Sequence, residues 1–276
     1  MMNAMDFENI SPETFRQYQK DHGERDYLLV DVRQPDEYTQ RHIPGSKLMP
    51  LDELESNVSE LPGDKDLFFY CHSGARSQAA AIISLDSGIQ LRKVHNLVGG
   101  IMGWDGQSLA DLPRVAIFEK EASMPELMLT AMGLEKAALR FYESVFKSHA
   151  KAPYAPILKT LSLAEEAHAR AIYTYWRRTQ ENPMPFKELF ESLDGEILEG
   201  GEKLMDAIQR LASLAGQGCT ALMEFALNIE IQAYDLYRNM ANVLTEAAEQ
   251  EVFLSISQME KKHMELLAKV FKECVD

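Results

Sequence analysis

Two short stretches carry residues whose types and spacing could hold a metal. LAEEAHAR places Glu165 three residues before His168, and MEKKHMEL places Glu260 three residues before His263. Residues at i and i+3 share a helix face, so each pair can aim one carboxylate and one imidazole the same way. Either stretch alone reads as readily as a solvated, charged helix surface. Their common offset decides the matter. Glu165 and Glu260, like His168 and His263, lie 95 residues apart, and so do Glu135 and Glu230, and Tyr142 and Tyr237. A shared offset over two glutamates, a histidine and a tyrosine reads as a duplicated helix pair. Four carboxylates and two imidazoles then converge, an arrangement too costly to bury without cations. Two divalent ions satisfy it, and hard oxygens with a little imidazole favour iron, with manganese as the alternative. Tyr142 and Tyr237 stand two turns beyond Glu135 and Glu230, where a hydroxyl can bond a ligand carboxylate. Glu166 has Lys261 at its repeat position and is assigned to solvent, spaced as an i,i+4 pair with Arg170.

A second chemistry-bearing stretch is YCHSGARS, residues 70–77. Cys71 ends an apolar run and opens an Ala-rich helical piece, so backbone N–H groups of the loop and the helix N-terminus gather around its sulfur. Such a nest stabilises an anion and lowers a thiol pKa. Gly74 allows φ > 0, and Arg76 adds a fixed positive charge. His72, Ser73, Ala75 and Ser77 complete the loop, with no separate role read for His72. The plainer alternative is a buried structural cysteine.

The elements that must position these groups change style near residue 113. Before it, short apolar runs such as 26–32 and 66–71 alternate with helix-like pieces, the pattern of buried parallel strands in an α/β domain. After it, 123–150, 156–181, 218–245 and 246–273 carry apolar residues at helical spacing, and Asn182-Pro183-Met184-Pro185 ends the second. The expected organisation is an α/β domain over 1–112, a short linker over 113–122, and an all-α four-helix bundle over 123–276 with a crossover at 182–217. Four long helices with one long crossover describe a ferritin-like bundle.

Composition narrows the partners. The chain has 276 residues and a net charge of −15. Residues 1–112 hold 10 basic and 18 acidic residues (−8), leaving 18 and 25 (−7) for the rest. Nucleic acid and anionic membrane both reward clustered Lys and Arg, so neither is expected as a partner. The polar N-terminus reads as no signal peptide, and no span reads as transmembrane. Cys71, Cys219 and Cys274 are too few and too scattered for a disulfide framework or a four-cysteine metal site. A cytoplasmic setting is expected.

CHSGARS resembles the C-x-x-G-x-R active loop of the rhodanese family. Asp31-Val32-Arg33 with Pro35, Glu37 and Tyr38, then His42-Ile43-Pro44-Gly45-Ser46, then LVGGIMGW from Leu97 to Trp104, resemble that family's other segments in order. The resemblance implies a catalytic persulfide on Cys71, loaded from a sulfane donor such as thiosulfate and passed to a thiol or cyanide-like acceptor. Phosphatases of related fold have a loop one residue longer before the arginine, so phosphoryl chemistry is the weaker expectation. Asp31 and Arg33 read as scaffold. Residues 123–276 resemble rubrerythrins, which implies peroxide or oxygen reduction at a di-iron centre, with a homodimer expected. Two departures weaken the peroxidase assignment. Ala233 stands where rubrerythrins commonly carry a further Glu, and the chain has no C-x-x-C for a rubredoxin-like electron donor, leaving the donor unknown. An iron-storing bundle beside a sulfur-supplying or merely binding rhodanese module is the alternative.

Overall fold

The computed structural model describes residues 7–119, 121–214, 218–271 and Cys274. It divides into two compact units, Met1–Leu112 and Pro113–Asp276.

The first unit runs β1 (Glu8–Ile10), α1 (Pro12–Asp21), β2 (Tyr27–Asp31), α2 (Pro35–Gln40), β3 (Lys47–Leu48), α3 (Leu51–Asn57), β4 (Asp66–Tyr70), α4 (Ala75–Asp86) and β5 (Lys93–Leu97). The strands form one sheet in the order β1-β5-β4-β2-β3, and every pairing is parallel. β2 and β4 are buried at every residue because both faces are covered. Leu28, Val30, Leu67 and Phe69 face Leu54 of α3 and Ala80 and Ala81 of α4. Tyr27, Leu29, Phe68 and Tyr70 face the other way, onto Phe15 of α1. α1 starts where a helix should, with Pro12 in its first turn and the Ser11 hydroxyl accepting from Thr14 N–H at 3.1 Å.

The second unit contains α5 (Met124–Ser148), α6 (Ala155–Trp176), α7 (Phe186–Ser192), α8 (Leu204–Ser213), α9 (Gly218–Val243) and α10 (Ala247–Val270). A capping box opens α5: Ser123 N–H donates to Glu126 Oε2 at 2.7 Å. Two apolar clusters fill the bundle. One takes Leu134, Ala169, Ala233 and Ile256, the other Ala137, Leu161, Ile229 and Leu267. In each of the four long helices the polar residues of interest fall between them, so the candidate metal ligands form one layer walled by apolar packing. α7 and α8 lie in the crossover. Residues 113–122, read as a linker, contribute to the helical core: Phe118 is buried, edge-on to Phe253 at 5.6 Å. Among the described residues no helix is long and apolar enough to cross a membrane.

One bond goes beyond the sequence reading. Cys219 and Cys274, 55 residues apart, form a disulfide with their Cα atoms 5.3 Å apart. Spacing along the chain could not reveal it, because the pairing arises only when α9 and α10 pack antiparallel and bring the start of one beside the end of the other. Closing that loop stabilises by about 4 kcal/mol in the chain-entropy model. Cys219→Ser is therefore expected to lower the melting temperature of the non-reduced protein. Dithiothreitol should lower the parent by the same amount and leave the variant unmoved.

Candidate functional site

Cys71 follows β4 directly and is buried, 1% exposed. Gly74, at φ 111°, turns the chain into α4. Gly74 N–H donates to Cys71 Sγ at 3.1 Å and the Ser77 hydroxyl reaches it at 3.5 Å. Burial pushes the thiol pKa up. The Ser77 hydroxyl and the N–H groups of Ser77, Gly74 and Ser73 outweigh burial and leave it lowered.

The loop's carbonyls are held by the segment that follows β5. Ile101 N–H donates to Cys71 O at 2.8 Å, Met102 N–H to His72 O at 3.1 Å, and Gly99 N–H to Ser73 O at 3.2 Å. This contact requires Gly100, at φ 51°: a Cβ there would lie 2.3 Å from Cys71 O and 2.8 Å from the His72 carbonyl carbon. Gly100→Ala is expected to destabilise the protein by at least about 2 kcal/mol, since backbone and not a yielding side chain fills the space. A thermal melt checks this, and Cys71-dependent chemistry should fall with it.

Arg76 is engaged by Glu37. Its Nη1 and Nη2 donate to Glu37 Oε2 and Oε1 at 2.6 and 2.7 Å, and these bonds hold the Glu37 carboxyl down at about 2. Its charge still acts on Cys71 through space. His72, Ser73 and Ala75 are exposed at the loop. Asp31 and Arg33 form a buried ion pair at 2.6 Å, and Arg33 also donates to Arg41 O at 2.6 Å, which ties β2 to the segment after α2.

In the helical unit Glu135, Glu165, His168, Glu230, Glu260 and His263 are all buried, none more than 6% exposed. α5, α6, α9 and α10 bring the six into one layer. His168 Nδ1 has Glu260 Oε1 at 2.9 Å, and Glu135 Oε2 and Glu165 Oε2 each at 3.2 Å. His263 Nδ1 mirrors this with Glu230 Oε2 at 2.9 Å, Glu165 Oε1 at 3.3 Å and Glu260 Oε2 at 3.4 Å. Glu165 and Glu260 thus face both histidines, while Glu135 and Glu230 face one each. The two imidazoles stack, centroids 4.6 Å apart.

One N–H cannot serve three carboxylates, so at each imidazole most of the facing oxygens are left without a donor. Burial raises Glu135 and Glu230 to about 8. Burial would lower both histidines, but the carboxylates facing them prevail and raise them. Crowded acceptors and orphaned oxygens are what a multivalent cation resolves, so the donor set fits a metal. Glu165, His168, Glu260 and His263 offer ligand atoms that all lie within 4.8 Å of one another. The tyrosines are crossed. Tyr142 on α5 donates to Glu230 on α9, and Tyr237 on α9 donates to Glu135 on α5 at 2.5 Å. Glu166 pairs with Arg170 at 2.6 Å on the surface.

The Rhodanese-like domain family matches residues 11–107 and the Rubrerythrin family matches residues 221–275. The chain is 38% identical over 104 residues to the Sulfurtransferase of Allochromatium vinosum, covering 38% of this chain and 89% of that protein. The chain joins a rhodanese-like domain to a rubrerythrin domain. The rhodanese-like part is also 37% identical over 106 residues to YrkF of Bacillus subtilis, 38% of this chain and 55% of that protein, so it spans about half of that relative's length. The Thiosulfate sulfurtransferase GlpE of Pseudoalteromonas translucida is 29% identical over 80 residues, 29% of this chain and 74% of that protein.

The Rubrerythrin match spans only α9 and α10, with Glu230, Tyr237, Glu260 and His263; α5 and α6 supply the mirrored set through the 95-residue offset. Two side chains escaped the sequence reading. Glu37 was seen as part of a motif, but its bond to Arg76 spans 39 residues and has no local signature. The buried Glu199 lies in the crossover, outside the four helices that the 95-residue offset relates.

Proposed function

We propose that the rhodanese-like domain is a sulfurtransferase and that the rubrerythrin domain carries a di-iron site reducing peroxide or oxygen. The hydrogen bonds on Cys71 Sγ are the observation that supports the first part. A thiolate held there attacks the outer sulfur of thiosulfate, the S–S bond breaks, sulfite leaves, and a persulfide remains on Cys71. The amides of Ser73, Gly74 and Ser77 that stabilise the thiolate also stabilise the anionic persulfide. Cyanide or a thiolate then takes the outer sulfur and returns Cys71 as thiolate. Arg76, anchored by Glu37, supplies positive charge at the loop.

In the bundle, Glu135 and His168 would hold one iron and Glu230 and His263 the other, with Glu165 and Glu260 between them. Iron held there would supply electrons to peroxide or oxygen, which a separate donor would have to replace. The chain's own part is to hold the ligands in register, through the crossed tyrosine bonds, and to exclude water with the two apolar clusters.

The test pairs two assays on the full chain. Thiocyanate should form from thiosulfate and cyanide, and the Fe(II)-loaded protein should consume one peroxide per two irons. A chain that loads iron but leaves peroxide untouched would refute the peroxidase reading in favour of iron storage. A chain that forms no thiocyanate would reduce the first domain to a binding module.

A further inference from the structure

The crossover between α6 and α9 folds back on itself in a tight turn. Ile197 and Lys203 form an antiparallel bridge, Leu198 N–H donates to Glu202 O at 2.9 Å, and Gly201 N–H donates to Leu198 O at 2.8 Å. Glu199 and Gly200 are the central residues of that turn, and Gly201 follows at φ 79°. The tip is driven into the bundle. Leu198 and Glu199 are each 2% exposed, and Gly200 lies so close to α9 that a Cβ would come 2.0 Å from Gln232 Oε1. A glutamate at the tip of a turn would ordinarily point into water. Here Glu199 Oε2 is buried and receives no hydrogen bond.

Its charge is coupled to the carboxylate layer of the bundle. Of the charged groups acting on Glu199 the strongest is Glu135, followed by Glu165 and Glu260. Its own charge is felt in turn at Tyr237, the hydroxyl that donates to Glu135. The turn packs on α9 at Gln232, beside Ala233. Ala233 lies one helical turn before Tyr237 on the same face. A further buried carboxylate that feels the charges of Glu135, Glu165 and Glu260, with an oxygen orphaned, is unfavourable unless a cation shares it.

We infer that Glu199 is a further metal ligand, serving the ion held by Glu135 and His168. The inference rests on the dimetal reading above and goes beyond it. It makes the site unequal: the crossover lies outside the four helices that the 95-residue offset relates, so it adds its carboxylate to one half only. A symmetric six-ligand cage thus acquires one ion with an extra anionic oxygen donor and one without.

Mn(II), stable to air in its divalent state, is the probe. Calorimetric titration of the metal-free full chain should give two ions for the parent. Glu199→Gln, which keeps the shape and removes the charge, should weaken one of the two steps by about 10–100-fold and leave the other. The metal-free protein supplies an independent readout. Removing an orphaned buried carboxylate should raise its melting temperature in Glu199→Gln and in Glu199→Leu alike. Two unchanged Mn(II) steps in Glu199→Gln would overturn the role of Glu199 and leave the dimetal reading standing. A parent that takes up no Mn(II) would overturn both.

Discussion

Cys71→Ser is expected to abolish transfer of sulfur from thiosulfate to cyanide, leaving a rate on the order of 10³-fold or more below the parent. The substitution changes one atom in a buried position, so the hydrogen bonds from Gly74 and Ser77 that now meet Sγ can meet a hydroxyl instead and the fold should persist. What disappears is the chemistry. A serine hydroxyl does not ionise in the range where the thiol does, and it cannot form the S–S bond that carries the outer sulfur. The parent's pH profile provides the companion measurement. Because the hydrogen bonds on Cys71 prevail over burial and lower its pKa, the thiolate persists to lower pH than an ordinary cysteine. The rise of the rate with pH should therefore lie below the usual thiol range. A rise at or above that range would contradict the site geometry, and so would a Cys71→Ser protein that retained transfer.

Glu165→Ala is expected to cost the bundle both metal ions, not one. Glu165 presents Oε2 to His168 at 3.2 Å and Oε1 to His263 at 3.3 Å, so its removal strips a donor from each half of the site. Glu135 approaches only His168, so Glu135→Ala should spare the half containing Glu230 and His263. Elemental analysis after loading separates the two cases. The parent should hold two ions per chain, Glu135→Ala about one, and Glu165→Ala fewer than one, its affinity for both falling by more than about 100-fold. Equal metal content in the two variants would refute the assignment of Glu165 to the position between the ions.

How far these sites were legible in the sequence depended on whether each signal was local or repeated. Cys71 could be placed on its loop because an apolar strand, Gly74 and an Ala-rich helix follow one another within a few residues. The six candidate metal ligands were legible because each occurs twice at one offset, so the duplication lifted them above the chance level of any single E-x-x-H. Glu199 lacked both advantages. It sits in a crossover without periodicity, outside the helices that the offset relates, and only the packing of Gly200 on α9 brings it to the bundle. The Cys219–Cys274 bond and the Glu37–Arg76 pair were hidden for the same reason. Each joins residues remote in sequence whose meeting is a product of the completed fold.

The crossed tyrosines carry a consequence for ancestry. Tyr142 of the first helix pair steadies a ligand of the second, and Tyr237 of the second steadies a ligand of the first. Neither hairpin is self-sufficient, since the carboxylate it offers is oriented by a hydroxyl it does not own. A single hairpin of this sequence could build the same cage only by embracing a second copy in a twofold arrangement. Gene duplication then appears as the covalent capture of such a dimer, and the crossover that joined the copies became free to add the one carboxylate that symmetry had forbidden.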